Sequence, residues 1–201
     1  MIDVALATED ELSEAIGKRL LAETAGKLRP GLLFRRGGFG YLRANVDKWC
    51  DLAHRLPVLL LTDLDRNRCP RKLLEQWLGK RERPHDFIFR IAVRETESWL
   101  LADHVAIRQL VGPKGRLPLD PDALREPKGF LLGLAKSAGK EVRKDLVAQR
   151  GAIASQGTGY NARLSAFVQT TCNPERAAQR SQSLSRARQR LRELALRHGK
   201  P

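Results

Sequence analysis

The amino-acid sequence predicts an α/β fold, in which a parallel sheet with flanking helices is followed by a helical C-terminal part. Hydrophobic runs of strand length alternate with segments of helical period through the first half of the chain. The run from Val58 to Leu61 is aliphatic throughout, which is typical of a strand buried on both faces inside a parallel sheet. A chain of 201 residues is long enough to form a domain with a real core.

Four strands alternate with helices in the predicted order. The strands are expected at residues 2–7, 32–35, 58–61 and 87–93, and helices at residues 45–56 and 70–78. Thr8 and Glu11 have the spacing of a capping box, so the first helix is expected to begin beside them and to run to about Gly26. Residues 36–40 are rich in glycine and arginine and are predicted to form a flexible basic loop.

The composition of the chain changes near residue 110, where prolines and glycines become frequent. We therefore expect residues 1–110 to form the core and residues 111–201 to form a mostly helical extension packed on it. Helices are predicted at 128–137, 140–148, 161–170 and 174–196. The last helix has one apolar face and one arginine-rich face, which fits either a phosphate-tracking surface or a solvated face.

The charge of the chain favours a polyanionic partner. The formal net charge is +14, which points to nucleic acid ahead of an anionic membrane. No apolar run approaches the roughly 20 residues needed to cross a bilayer. The first residues lack the basic and apolar regions of a signal peptide, so we expect a cytoplasmic protein. The three cysteines form no Cys-x-x-Cys pair, so a disulfide framework or a zinc site has no support.

Carboxylates follow three of the predicted strands. Glu9 follows the first, Asp63 and Asp65 follow the aliphatic one, and Glu95 and Glu97 follow the last. Parallel strands end along one edge of a sheet, so these acids can converge there. Clustered carboxylates repel each other unless a cation lies between them, and Mg²⁺ or Mn²⁺ suits such oxygen ligands. The alternative is that the two aspartates only cap a turn and the next helix.

This arrangement resembles the TOPRIM domain. A lone glutamate after strand one, the Asp63-x-Asp65 pattern and a parallel β/α core are shared by topoisomerases, DnaG-type primases and nucleases of the overcoming-lysogenization-defect (OLD) type. The segment Arg94–Asp103, with its Glu-x-Glu-x-Trp pattern, is similar to an uncharacterised bacterial family of TOPRIM-like proteins. Members of that family are thought to act beside an ATPase in antiviral defence against phage. The resemblance covers about residues 1–110.

The resemblance implies specific site residues. Those expected to be catalytic, and also to bind the metal, are Glu9, Asp63 and Asp65. Glu97, or less so Glu95, is expected to supply a further metal ligand. Those expected to hold the scissile phosphate, by charge and proximity, are Arg66, Lys72 and Arg94. Asp10 stands where topoisomerases and primases usually have glycine, and Ser13 where OLD-type enzymes often have a second acid. Both departures bear on whether a two-metal site is complete.

The expected function is that of a Mg²⁺-dependent nuclease that hydrolyses phosphodiester bonds of DNA or RNA. The chain has no nucleotide-binding motif, so a separate ATPase subunit is the expected partner beside nucleic acid. The first alternative is a non-catalytic nucleic-acid-binding or assembly subunit with a degenerate TOPRIM site. The second is a phosphatase with Asp63 as nucleophile. Oligomeric state stays open, with a homodimer as one alternative.

Overall fold

The computed structural model describes residues 1–35, 37–67 and 69–198. It confirms the predicted fold class, a mixed α/β protein with an all-parallel four-stranded sheet flanked by helices. The strands are β1 (Ile2–Thr8), β2 (Leu28–Phe34), β3 (Val58–Asp63) and β4 (Phe87–Ala92). Their order across the sheet is β2-β1-β3-β4, so β3 is paired on both sides.

Helices connect the strands and build the C-terminal part. Those between the strands are α1 (Glu11–Ala22), α2 (Gly38–Ala44), α3 (Val46–Ala53) and α4 (Pro70–Leu78). Those after β4 are α5 (Glu97–Ala102), α6 (His104–Val111), α7 (Pro127–Ala135), α8 (Lys140–Leu146), α9 (Tyr160–Thr170), α10 (Pro174–Ala177) and α11 (Gln182–His198), with a 3-10 turn at Pro121–Ala123. Within the described residues, none of these helices has the length and apolar character that a membrane span requires.

The sheet has a hydrophobic core on each face. Leu59 and Leu61 of β3 face a core built with α1 and the helices that follow β4, whereas Val58 and Leu60 face a core built with α2, α3 and α4. All four side chains are at most 1% exposed, which confirms that β3 is buried on both sides. The C-terminal helices therefore pack directly on one face of the sheet.

The start of α1 differs from the predicted capping box. Asp10 is the N-cap: its carboxylate accepts a hydrogen bond from the Ser13 amide (2.8 Å), and the Ser13 hydroxyl accepts one from the Asp10 amide (3.0 Å). The predicted box of Thr8 and Glu11 is wrong because Thr8 still belongs to β1, where it is buried. The helix also ends at Ala22, before the predicted end near residue 26.

Two further elements correct the sequence interpretation. The predicted glycine-rich loop is mostly helix, because Gly37 adopts φ +66° and α2 begins directly after it; Arg36 lies outside the described residues. Phe39 of α2 is anchored against Trp77, with ring centroids 5.0 Å apart. The single helix predicted at 174–196 is two helices, α10 and α11, separated by a turn that ends at Ser181.

A buried ion pair holds α10 against the start of α6. The fully buried Asp103 carboxylate accepts two hydrogen bonds from the Arg176 guanidinium (2.6 and 2.7 Å) and one from the Asn173 amide (2.8 Å). It also caps α6 through the Ala106 amide (3.2 Å). Burial alone would raise the pKa of Asp103, but these hydrogen bonds outweigh it and hold that pKa below its usual value.

We expect Asp103→Asn to lower the free energy of unfolding at pH 7 by about 2 to 3 kcal/mol, because Arg176 loses its counter-charge; the value is at the lower end since Arg176 is partly exposed. Urea denaturation at several pH values measures it. The depressed pKa means that the contribution is present above the unfolded pKa near 4 and is lost as the pH falls through the folded pKa. The double variant Asp103→Asn/Arg176→Gln should recover part of the loss; equal stability of wild type and Asp103→Asn at pH 7 would contradict this account.

Candidate active site at the carboxyl edge of the sheet

The ends of β1 and β3 bring Glu9 and Asp63 together. Thr8 pairs with Leu61 in the parallel register, so the residues that follow them meet at the same edge. Glu9 Oε1 accepts a hydrogen bond from the Asp63 amide (2.9 Å) and another from the Thr62 hydroxyl. The register of the sheet therefore fixes the glutamate beside the aspartate.

Asp63 is held from the side of β4. Its Oδ1 accepts a hydrogen bond from the Thr96 amide (2.9 Å), in the loop that leads into α5. Each of the two carboxylates thus has one oxygen fixed by protein donors, while the other oxygen has no hydrogen-bond partner among the described residues. Such a group has a defined orientation and keeps an oxygen available to a ligand.

Glu95 and Glu97 point in different directions. Glu97 is 5% exposed, and its Oε1 accepts a hydrogen bond from the Tyr160 hydroxyl (2.6 Å) at the start of α9. Glu95 lines an open cleft, and its Oε2 accepts a hydrogen bond from the Lys128 amide (2.8 Å) in α7. Glu97 therefore lies in the interior, whereas Glu95 lies on the surface that a large ligand can reach.

The acidic residues raise one another's pKa values. Burial raises the pKa of Asp63 well above its usual value, and the charges of Glu97 and Glu9 raise it further. Burial is also the main cause of the raised pKa values of Glu9 and Glu97. No lysine, arginine or histidine in the described part of the chain lies within salt-bridge distance of these three carboxylates. None of these three carboxylates is therefore neutralised by a paired basic side chain among the described residues.

Two residues with left-handed backbone conformations brace the loops that follow β3 and β4. Asp65 has φ +49° and Arg94 has φ +66°, two of the three non-glycine residues with positive φ in the described ranges. The Asp65 amide donates to the Arg94 carbonyl (2.7 Å), and Arg94 Nη1 donates to the carbonyls of Asp65 (3.1 Å) and Asn67 (3.3 Å). Strained backbone of this kind is found most often at functional sites, where surrounding contacts maintain it.

An open cleft of about 620 Å³ lies against these loops. The sheet edge contributes Asp65, Arg66, Arg94 and Glu95, and the C-terminal part contributes Arg125, Glu126, Lys128 and Ser155. Of the predicted phosphate-binding residues, Arg66 and Arg94 therefore line one cleft, whereas Lys72 lines a separate cavity together with Arg66. The sequence interpretation missed Arg125 and Lys128, because they follow a proline-rich segment with no motif and reach the cleft only through the packing of α7 and of the residues just before it.

The carboxylates suit a hard cation bound with few protein ligands. The described residues contain no cluster of three or more His, Cys, Asp or Glu side chains arranged to hold a metal ion. Mg²⁺, however, usually takes one or two carboxylates and completes its shell with waters and substrate phosphates. The oxygens of Glu9 and Asp63 that have no described hydrogen-bond partner fit that mode of binding.

The fold and this edge define an α/β protein with a parallel sheet whose acidic edge adjoins a cleft lined by both basic and acidic residues. The sequence from residue 7 to residue 192 matches the family described as a domain of unknown function, DUF4276. The chain therefore belongs to the DUF4276 family, and the match includes the sheet edge and both walls of the cleft. No curated protein and no solved structure matches the sequence.

We expect Asp63→Asn to unfold at a higher temperature than the wild type at pH 8 in the presence of a chelator. The pKa of Asp63 is raised in the folded state. The ionised carboxylate therefore destabilises the fold once the pH rises above the pKa of this group in the unfolded chain, which is near 4. The gain in thermal stability should be present at pH 8 and should vanish below about pH 4, where the carboxyl group is protonated in both states. Thermal unfolding across this pH range tests it, with the exposed Asp51→Asn as matched control; a less stable Asp63→Asn at pH 8 would show that the carboxylate is not under electrostatic strain.

Proposed function

We propose that this protein is a Mg²⁺- or Mn²⁺-dependent nuclease that hydrolyses phosphodiester bonds of DNA or RNA, with a TOPRIM-like site. The observation that carries the proposal is the pairing of two oriented carboxylates, Glu9 and Asp63, with an adjoining cleft that presents cations. Carboxylates with available oxygens suit the metal, and arginine and lysine suit the phosphates of a nucleic acid. The net charge of +14 favours the same polyanionic substrate.

The residues of the edge have distinct roles in this proposal. Glu9 and Asp63 would hold the metal with their available oxygens, and Asp65, which lines the cleft, would act on the substrate side of the metal. A bound divalent ion supplies polarisation of the phosphate and stabilisation of the leaving oxygen. Arg66 and Arg94 would orient the scissile phosphate, and the DNA or RNA strand would continue past Arg125 and Lys128.

Glu9 could also act as a general acid or base. Burial raises its pKa, although hydrogen bonds from Thr62 and Asp63 oppose the rise. A carboxyl group with a raised pKa exchanges a proton more readily near neutral pH, as a general acid or base must. Glu9 therefore acts either as a metal ligand or as the group that moves a proton to or from the reacting oxygen.

The proposal includes a separate ATPase partner in a cytoplasmic antiviral defence system. It rests on the resemblance of Arg94–Asp103 to TOPRIM-like proteins of that kind and on the lack of a nucleotide-binding motif in this sequence. The alternative function is a non-catalytic subunit that binds nucleic acid or assembles with a partner. It is favoured by one observation, that no three acidic, histidine or cysteine side chains are gathered as a metal site within the described residues.

We expect Asp63→Asn and Glu9→Gln each to lower the rate of metal-dependent cleavage at least about 100-fold, because each removes a charge that the reaction requires. Cleavage of labelled single- and double-stranded DNA and RNA is measured with Mg²⁺, Mn²⁺ or chelator, and Asp51→Asn, an exposed change of the same kind, should leave the rate unchanged.

Calorimetric titration with Mg²⁺ or Mn²⁺ separates the two functions. Metal binding that depends on Asp63, without cleavage of any of these substrates, would favour the non-catalytic subunit. Cleavage by Asp63→Asn at the rate of the wild type would overturn the nuclease proposal.

A further inference from the structure

Four arginines gather on the outer side of β4, away from the acidic edge. Arg90 lies in β4, Arg83 precedes that strand, and Arg186 and Arg190 lie one turn apart on α11, which packs against β4. The positive charges of the other three all act on Arg90. We call Arg83, Arg90, Arg186 and Arg190 the arginine cluster.

The charge of the arginine cluster is poorly balanced. Within the described residues, Arg83, Arg90 and Arg186 form no salt bridge, and Arg190 pairs with Glu193 at 2.6 Å. Arg90 is partly buried and donates one hydrogen bond, from Nε to the Phe89 carbonyl (2.7 Å). Burial and then the neighbouring arginine charges lower the pKa of Arg90 to about 10. The charge of Glu193 opposes this effect in part. Like charges gathered at one site repel one another, and an anion bound among them would relieve that repulsion.

A groove of about 410 Å³ gives access to this cluster. Arg90 and Arg186 line it together with Arg71 of α4. Val93, which directly follows β4, also lines it. Asp120 and Asp122 line it as well. The Asp122 carboxylate accepts hydrogen bonds from the Ser181 hydroxyl (2.8 Å) and the Ser183 amide (2.9 Å), which orient it and leave its charge in place.

The other arginines of α11 have structural partners. Arg188 makes two hydrogen bonds to Glu23 (2.8 and 2.9 Å), and Arg197 contacts Asp86 (2.8 Å). The helix therefore uses some arginines to attach itself to the sheet and α1, while Arg186 stays exposed beside Arg90. The arginine-rich face expected from the sequence therefore consists of two groups. Some arginines anchor the helix, and others have N–H donors that are not used within the described residues.

We propose that the arginine cluster is a second phosphate-binding site. It binds backbone phosphates of the same nucleic acid strand whose scissile phosphate lies at the acidic edge. A guanidinium group can donate two parallel hydrogen bonds to one phosphate, and this contact does not depend on the base sequence. The site therefore positions the strand and does not recognise its sequence. That the polyanion is a nucleic acid rests on the proposed function. The groove gives such a strand access to Arg90 and Arg186 of the cluster.

The test is equilibrium binding of labelled single-stranded and duplex oligonucleotides in chelator, followed by fluorescence anisotropy at several salt concentrations. We expect Arg186→Gln to weaken binding several-fold and Arg186→Gln/Arg190→Gln at least about tenfold. The slope of log affinity against log salt should become shallower by about 0.7 to 0.9 for each phosphate that the variant no longer neutralises. Arg192→Gln is the matched control, since Arg192 is exposed on the same helix and lies near Glu175 instead of the cluster.

Two readouts keep this inference separate from protein stability and from catalysis. Because the arginines repel one another, the double variant should unfold at the same temperature as the wild type or higher in phosphate-free buffer, so weaker binding does not reflect unfolding. Asp63→Asn should retain binding in chelator even though it loses cleavage, and its failure to cleave concerns only the nuclease proposal.

Three results would overturn the second site. They are an unchanged affinity and salt slope in the double variant, an equal loss of affinity in Arg192→Gln, and an absence of oligonucleotide binding by the wild type. Cleavage by the wild type together with either of the first two would leave the nuclease proposal standing and remove only the arginine cluster from it.

Discussion

The parallel pairing of β3 with both β1 and β4 is the constraint on which the rest of the molecule depends. It places Thr8 beside Leu61 and Asp63 beside Ala92, so it decides which residues emerge together at the carboxyl edge. A slip of one residue would turn the apolar side chains of β3 to the opposite faces and would misplace every acid that follows. Burial of β3 on two cores makes that slip costly, and the geometry of Glu9 and Asp63 follows from the packing of the sheet.

The C-terminal helices are part of the candidate site as well as a cover for the sheet. Tyr160 donates to Glu97 and the Lys128 amide donates to Glu95, so α9 and α7 hold two of the acidic residues. Arg125 and Lys128 form the far wall of the cleft. A division into a core and an extension describes the order of elements along the chain, but residues of both segments hold the carboxylates of the edge and line the cleft.

Local pattern was enough to predict the elements whose signal lies within a few residues. The aliphatic run of β3 and the helix from Pro70 to Leu78 are of this kind. The capping box was misplaced because Thr8–Glu11 and Asp10–Ser13 both have suitable spacing, and the pairing of Thr8 with β3 decides between them. The roles of Arg125 and Lys128 depend on contacts between distant segments, which no local pattern encodes.

Like charges collect at two separate surfaces, carboxylates at the edge of the sheet and guanidinium groups in the arginine cluster. Among the described residues no salt bridge joins the two sets; within the arginine cluster Arg190 alone is paired, with Glu193, whereas Arg188 and Arg197 elsewhere on α11 both have carboxylate partners. A fold selected for stability alone would have little reason to keep both sets of mutually repelling charges. A protein that binds a cation and a polyanion together would have a reason to keep both sets. The cation offsets repulsion between carboxylate and phosphate, and the arginines neutralise the phosphates that follow. The separation of charge is thus the physical feature that ties the proposed metal site to the proposed path of the strand.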